Sequence, residues 1–309
     1  MPFPRFAVAC LVAGAAFGSA PPAAAQQFVV TSGVAADGDA TPLWRAVLRR
    51  RLDSAAYDSV AALRPRLDAA QTAWSRLIRD RAAVWPAQTA AVAAPYRPAA
   101  PPDTVVVVLG NRGANDAFTH DPRTIGFDLA ALQQAYGDAS LPENGERIDR
   151  LFRHEYAHLM QKSWLAERPY PTDTPLRLAL AEIWTEGLGT YHSMSDRWRA
   201  TAGEHSDAAR AALATLAPRL VARLAALACA DDRDASRLVA DLSWGRFDRK
   251  WGALTAGLWL EAETSRSPEA LQAFVAAGPD GVWALASRHL SADLGAVLTE
   301  TRATEAVCR

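Results

Sequence analysis

The sequence predicts an α+β protein that is predominantly helical. Three observations carry this. Val105–Leu109 is a β-branched run bounded by Pro102 and Gly110, the clearest strand in the chain. Apolar residues recur at helical spacing from Pro42 to about Val84, and again from Glu146 almost to the C-terminus. Half of the 309 residues are hydrophobic and 22% are charged, which is globular composition with enough apolar mass for one large or two small cores.

The N-terminal stretch has the pattern of an export signal. Met1 to Arg5 carries one positive charge, Phe6 to Gly18 is uninterrupted apolar sequence, Pro21-Pro22 breaks it, and Ala23-Ala24-Ala25 supplies the small residues a signal peptidase needs before Gln26. An apolar run of about 13 residues is too short for the ~30 Å of a bilayer core, so residues 1–25 are expected to be cleaved rather than to anchor the chain. The expected product is periplasmic or secreted, with no stable membrane insertion. Cys10 leaves with the signal. Cys229 and Cys308 then remain, and an exported chain can bridge them; the sequence leaves a bridge and two free thiols both open.

Further along, residues 27–31 read as a short strand. Leu43, Val47, Leu48, Leu52, Val60, Leu63, Leu67, Trp74, Leu77 and Ile78 give the segment 42–84 its helical pattern, with Pro65 expected to split it into two helices. Its expected role is packing for the rest of the chain. Residues 86–103 hold five prolines among alanines and read as a linker. It divides an N-terminal helical region, 26–103, from a main domain, 104–309. Gly110 to Asp116 is expected to turn, and Thr124 to Phe127 to return as a second strand.

Charge excludes several functions. The 33 basic residues balance 34 acidic ones, which argues against a nucleic-acid partner and against an acidic solvating tail. A mean hydropathy of −0.07 excludes a polytopic membrane protein. Only Lys162 and Lys250 are lysines; with the abundant alanine this reads as coding bias.

Residues 154–158 are His-Glu-Tyr-Ala-His. On a helix the two histidines lie four apart, so both imidazoles leave one face and reach one zinc ion, and Glu155 stands where it can act on an activated water. The segment is helical by its Ile148, Leu151, Phe152 and Leu159 stripe, with Asn144 or Gly145 as cap and Pro169 as stop. A catalytic zinc needs a third protein ligand. Thr174-Pro175 opens a second helix that carries Glu182 and Glu186 on one face, and either can supply it. Gly187 and Gly189 each cost about 1 kcal/mol inside a helix, which close approach of another element would offset.

His154-Glu155-Tyr-Ala-His158 followed by Glu186-Gly187-Leu-Gly-Thr-Tyr191 resembles the gluzincin metallopeptidases, the superfamily of thermolysin-like enzymes and zinc aminopeptidases. The resemblance covers about residues 104–192. It implies a zincin-like core with a small sheet beside the His-Glu helix and a helical C-terminal lobe. It further implies one catalytic Zn2+ held by His154, His158 and Glu186, Glu155 as general base, and a peptide or protein as substrate. Val105–Leu109 matches the active-site edge strand; the residues alone fit an exposed edge and a buried core strand equally. Two features depart from the family. Twenty-seven residues separate His158 from Glu186, more than in the better-known families, and Glu182 shortens the gap to 23. No tyrosine follows Tyr191 to steady an oxyanion, and His205, His289 or an arginine would have to serve. His192 lies six residues beyond Glu186 and should face away from it. Asp128, Asp149 and the unused glutamate are candidate partners for the outer imidazole nitrogens. The expected function is zinc-dependent peptide hydrolysis by an exported enzyme. The alternatives are a zinc-binding protein of the same fold without turnover and a zinc hydrolase of a non-peptide bond.

Overall fold

The computed structural model describes residues 26–61, 66–113 and 115–308. The expected signal segment, residues 1–25, lies outside them, as does the break at Pro65. No helix among the described residues is long and apolar enough to cross a membrane. The fold is α+β and mostly helical.

Four strands, β1 Gln27–Ser32, β2 Thr104–Gly110, β3 Ala117–Asp121 and β4 Thr124–Asp128, form one sheet in the order β1-β2-β4-β3. β1 and β4 flank β2 in parallel, and β3 closes the edge antiparallel to β4. Between β1 and β2 run α1 Pro42–Arg51, α2 Ser54–Ala61, α3 Ala69–Ala82 and α4 Trp85–Ala93. After the sheet come α5 Leu129–Tyr136, α6 Pro142–Glu167 and α7 Pro175–Ser193. The C-terminal lobe holds α8 Asp207–Leu227, α9 Asp232–Leu238, α10 Ala253–Thr264, α11 Glu269–Ala277, α12 Gly281–His289 and α13 Ala292–Cys308.

The two central strands, β2 and β4, are buried on both faces, and this explains the unbroken apolar sequence of β2. Val105, Val107 and Leu109 face the main core with Phe127 and Phe152, while Val108 faces a smaller one built by Trp44, Val47 and Leu48 of α1. β2 is therefore an interior strand. Of the two readings open for 105–109, the buried core strand holds and the edge strand that the resemblance implies does not: the edge beside α6 belongs to β3, a strand the sequence pattern did not announce.

The linker reading of 86–103 is also corrected. Residues 85–93 form α4, a 3-10 turn follows at Ala94–Tyr96, and Trp85, Val92, Tyr96 and Ala99 lie in the main core. Pro86 sits in the first turn of α4, where a proline costs no hydrogen bond. The Trp85 ring stacks on Phe152 of α6 at 4.0 Å, and its indole N–H donates to Asp149 at 3.0 Å. Trp74, Ile78 and Trp85 share one core with the residues of 104–308.

Among the described residues, segment 42–84 holds three helices. The additional break falls at Leu52-Asp53, where Leu52 is extended and the Asp53 carboxylate caps α2 through the Ala56 amide. Asp68 likewise caps α3, in a reciprocal capping box with Gln71. The start of α6 also differs from expectation: Pro142 opens it after Leu141, which makes no side-chain cap, and Asn144 lies buried in the first turn with its amide donating to the Asp138 carbonyl. Thr174 caps α7 ahead of Pro175 as expected.

Candidate metal centre

α6 and α7 pack against each other and bring His154, His158 and Glu186 together. α6 is a continuous helix whose buried stripe of Ile148, Phe152, Leu159 and Met160 fixes its rotation, so the two histidines emerge together on the opposite side. Their rings meet edge to face with centroids 4.7 Å apart. On α7, Gly187 and Gly189 have separate reasons. A Cβ at Gly187 would stand 2.8 Å from the Ala256 methyl of α10, and one at Gly189 would stand 2.7 Å from the His154 ring. The first glycine admits a helix and the second admits an imidazole.

The Glu186 carboxylate spans the pair. One oxygen is 3.4 Å from His154 Nε2 and the other 3.6 Å from His158 Nε2. His154, Glu155 and His158 also each bring a ligand atom within 4.8 Å of one another. Two carboxylates thus compete for one position, and their surroundings separate them. Glu155 is buried, and its Oε2 accepts from the Thr119 hydroxyl of β3 at 2.9 Å. Glu182, the other glutamate of α7, accepts from Ser243 and does not face the histidines; burial pushes its carboxyl up.

The outer ring nitrogens are occupied. His158 Nδ1 donates to Gln161 Oε1 at 2.7 Å, and the Gln161 amide donates onward to the Thr185 carbonyl at 2.9 Å, which fixes its orientation. His154 Nδ1 lies 3.3 Å from Ser193 Oγ, whose own proton goes to the Thr190 carbonyl at 3.2 Å, so the imidazole is the donor. Asp128, Asp149 and Glu182, the partners considered from sequence, are engaged elsewhere: Asp128 caps α5, and Asp149 holds Arg81 and Trp85.

With both Nδ1 atoms protonated, neutral rings present Nε2 lone pairs toward a carboxylate. Such an arrangement repels itself unless a proton or a cation lies between. The 3.4 and 3.6 Å separations are longer than charge-assisted hydrogen bonds of about 2.7–2.9 Å. They are close to the edge, about 3.35 Å, of a tetrahedron whose centre lies about 2.05 Å from each ligand, the spacing of zinc to nitrogen and oxygen. Two imidazoles and a carboxylate are a donor set that zinc takes, and these two separations are compatible with it. Without a metal the same crowding appears as proton sharing. Burial opposes charge on His154, but the Glu186 contact and the Glu155 charge outweigh it and hold the imidazole up. Burial likewise opposes charge on Glu186, but His158 and His154 overcome it and pull the carboxyl down to about 2.

The cluster opens into a cleft of about 1100 Å³. β3 forms one wall through Phe118 and Thr119, α6 and α7 form the floor, and Trp198, Trp244 and Phe247 stand at the far rim. Trp244 is 62% exposed, and Phe247 packs on Trp198 at 5.5 Å. The histidines considered as oxyanion partners do not line this cleft. His205 and His289 lie together, 5.8 Å between ring centroids, with His289 on Glu263 and stacked on Trp259. His192, on α7, is buried and does not line the cleft, facing away as expected.

Sequence reasoning missed Thr119, Gln161, Ser193, Lys162 and Lys250. Three had a signal. Gln161 and Lys162 follow His158 by three and four residues, and Ser193 lies seven beyond Glu186, so each shares a helix face with a ligand candidate. Thr119 and Lys250 sit on elements that periodicity does not connect to the motif.

No family model, curated protein or solved structure matches the chain.

Proposed function

We propose that the protein is a zinc-dependent peptidase that hydrolyses peptide bonds. The observation that carries this reading is the Glu186 carboxylate set 3.4 and 3.6 Å from the Nε2 atoms of His154 and His158, with a second carboxylate, Glu155, beside them in an open cleft. His154, His158 and Glu186 would hold the ion. Zinc in this setting supplies Lewis acidity, acidifying a water and polarising a carbonyl. Glu155 does the proton work: it accepts the proton of the attacking water and delivers it to the leaving nitrogen. Thr119 holds Oε2 of that carboxylate, which fixes its rotamer while the proton moves. The β3 edge offers backbone groups to an extended peptide laid along it as a further strand.

An exported protein agrees with the Met1–Ala25 pattern and with Cys229, which is disulfide-bonded, since such bonds persist in oxidising compartments.

The test is hydrolysis of casein or a mixed peptide library by the zinc-loaded chain. Cleavage should stop with a chelator and return with zinc. Glu155→Gln should retain zinc and lose about 10²-fold or more in rate, the range for removal of a general base. Chelator-insensitive cleavage, or full activity in Glu155→Gln, would refute the reading.

A further inference from the structure

The chain has two lysines, Lys162 and Lys250, and both line the one cleft that holds His154, Glu155, His158 and Glu186. They come from different elements. Lys162 lies on α6, one turn beyond His158, and its charge bears on Glu155 and on Asp121 at the end of β3. Lys250 lies on the segment leading into α10, across the cleft, and its charge bears on Glu186 and His154. Among the described residues neither ammonium has a hydrogen bond or an ion pair.

The arginines of the cleft are different. Arg150 pairs with Glu146, Arg147 lies over the Tyr136 ring and donates to Asn144, and Arg51 donates to the Gly113 carbonyl while lying 3.8 Å over Phe118. Together these five cations face three acids, Asp116, Glu155 and Glu186, in a chain whose formal net charge is −1. The lining therefore carries an excess of basic over acidic side chains that the chain as a whole does not. A net excess of one sign of charge in a cleft raises the local concentration of opposite charge.

Burial also matters for Lys162. It pushes the ammonium down from its ordinary range, with Arg50 acting in the same sense, which is the cost a bound anion would remove. An ammonium is a compact charge with three rotatable donors, suited to a carboxylate whose position varies from one substrate to the next.

We propose that the cleft selects acidic peptides, with Lys162 and Lys250 binding substrate carboxylates on two sides of the His154–Glu186 cluster. This rests on the peptidase reading for the word substrate; the recognition of anionic peptides does not depend on it. A strand laid along β3 passes Lys162 at one end, and its continuation crosses toward Lys250 and the aromatic rim. Side chains on one face of that strand then meet an ammonium on either side of the centre.

The test separates recognition from chemistry. Fluorescein-labelled hexapeptides rich in Glu, in Gln or in Lys are titrated into the full chain with chelator present, so that nothing is cut, and binding is read by anisotropy. The Glu peptide should bind at least about tenfold more tightly than the Gln peptide, with a preference that weakens as salt is raised. The Lys162→Gln, Lys250→Gln double variant should lose the preference, and the Lys162→Arg, Lys250→Arg double variant should keep it. If the glutamine double variant fails to fold by thermal melting, Lys250→Gln alone should reduce the preference, since Lys250 lies outside any helix. Equal binding of Glu and Gln peptides, or a preference that survives loss of the ammonium groups, overturns the proposal. Repeating the series with zinc isolates the other reading. Selective binding without zinc-dependent cleavage leaves acidic recognition standing and overturns the peptidase; zinc-dependent cleavage without selectivity does the reverse.

Discussion

Gly189 is the residue at which local cost and site chemistry meet most directly. Alanine there would gain about 1 kcal/mol in helix propensity. Its methyl would also stand 2.7 Å from the His154 ring, closer than side chains pack, so the imidazole must turn away from Ser193 and from Glu186. Gly189→Ala should therefore leave the melting temperature of the metal-free chain level or higher and weaken zinc binding by about tenfold or more, the size of effect seen when ligand orientation is lost. Chelator competition with and without the substitution measures this. Unchanged zinc affinity would mean that the ring position does not matter. The histidines, Glu155 and the glutamate pair were legible in sequence because helix geometry converts a spacing of four into a shared face. Which glutamate lies beside the histidines was not legible from spacing, since both lie on that face; Glu186 does, while Glu182 accepts from Ser243, a contact between residues 61 positions apart.

At the scale of elements, the sequence was read well where periodicity is long and poorly where elements are short. α6 and α7 announced themselves. β3 has five residues, Ala-Phe-Thr-His-Asp, without a β-branched run, and its pairing with β4 is interrupted by a register shift between Thr119 and Asp121. The prolines of 86–103 do not mark a linker because their positions suit helices: Pro86 and Pro95 each occupy the first turn of a helical element. The correction has an energetic consequence. Trp85 is completely buried, stacks on Phe152 and donates to Asp149, so it clamps α4 to the helix that carries the histidines. Trp85→Ala should cost about 3–5 kcal/mol, the range for deleting a large aromatic from a core. A denaturant midpoint measures it; a shift below 1 kcal/mol would fit a loosely attached linker and not a core helix.

The whole molecule should be sensitive to acid. Burial, helped by the Arg153 and Arg199 charges, lowers the His192 pKa to about 3; burial also lowers His289 to about 4 despite Glu263. Both histidines take up protons near pH 6.5 when unfolded. Between that value and their folded pKa the unfolded chain binds more protons, so stability falls as pH drops through the window and levels off below it. Melting temperature should decline steadily from pH 7 toward pH 4, and His192→Leu should flatten part of that decline. A profile flat over this range in the parent chain would contradict burial of the neutral rings.

The central claim is that α6 and α7 together hold one zinc ion. Metal analysis of the purified full chain, after dialysis against zinc, tests it most directly. One zinc per chain is expected in the parent and in Glu155→Gln, with stoichiometric binding lost in His154→Ala and sharply weakened in Glu186→Ala. Zinc absent from the parent chain, or retained undiminished when His154 is removed, would contradict it.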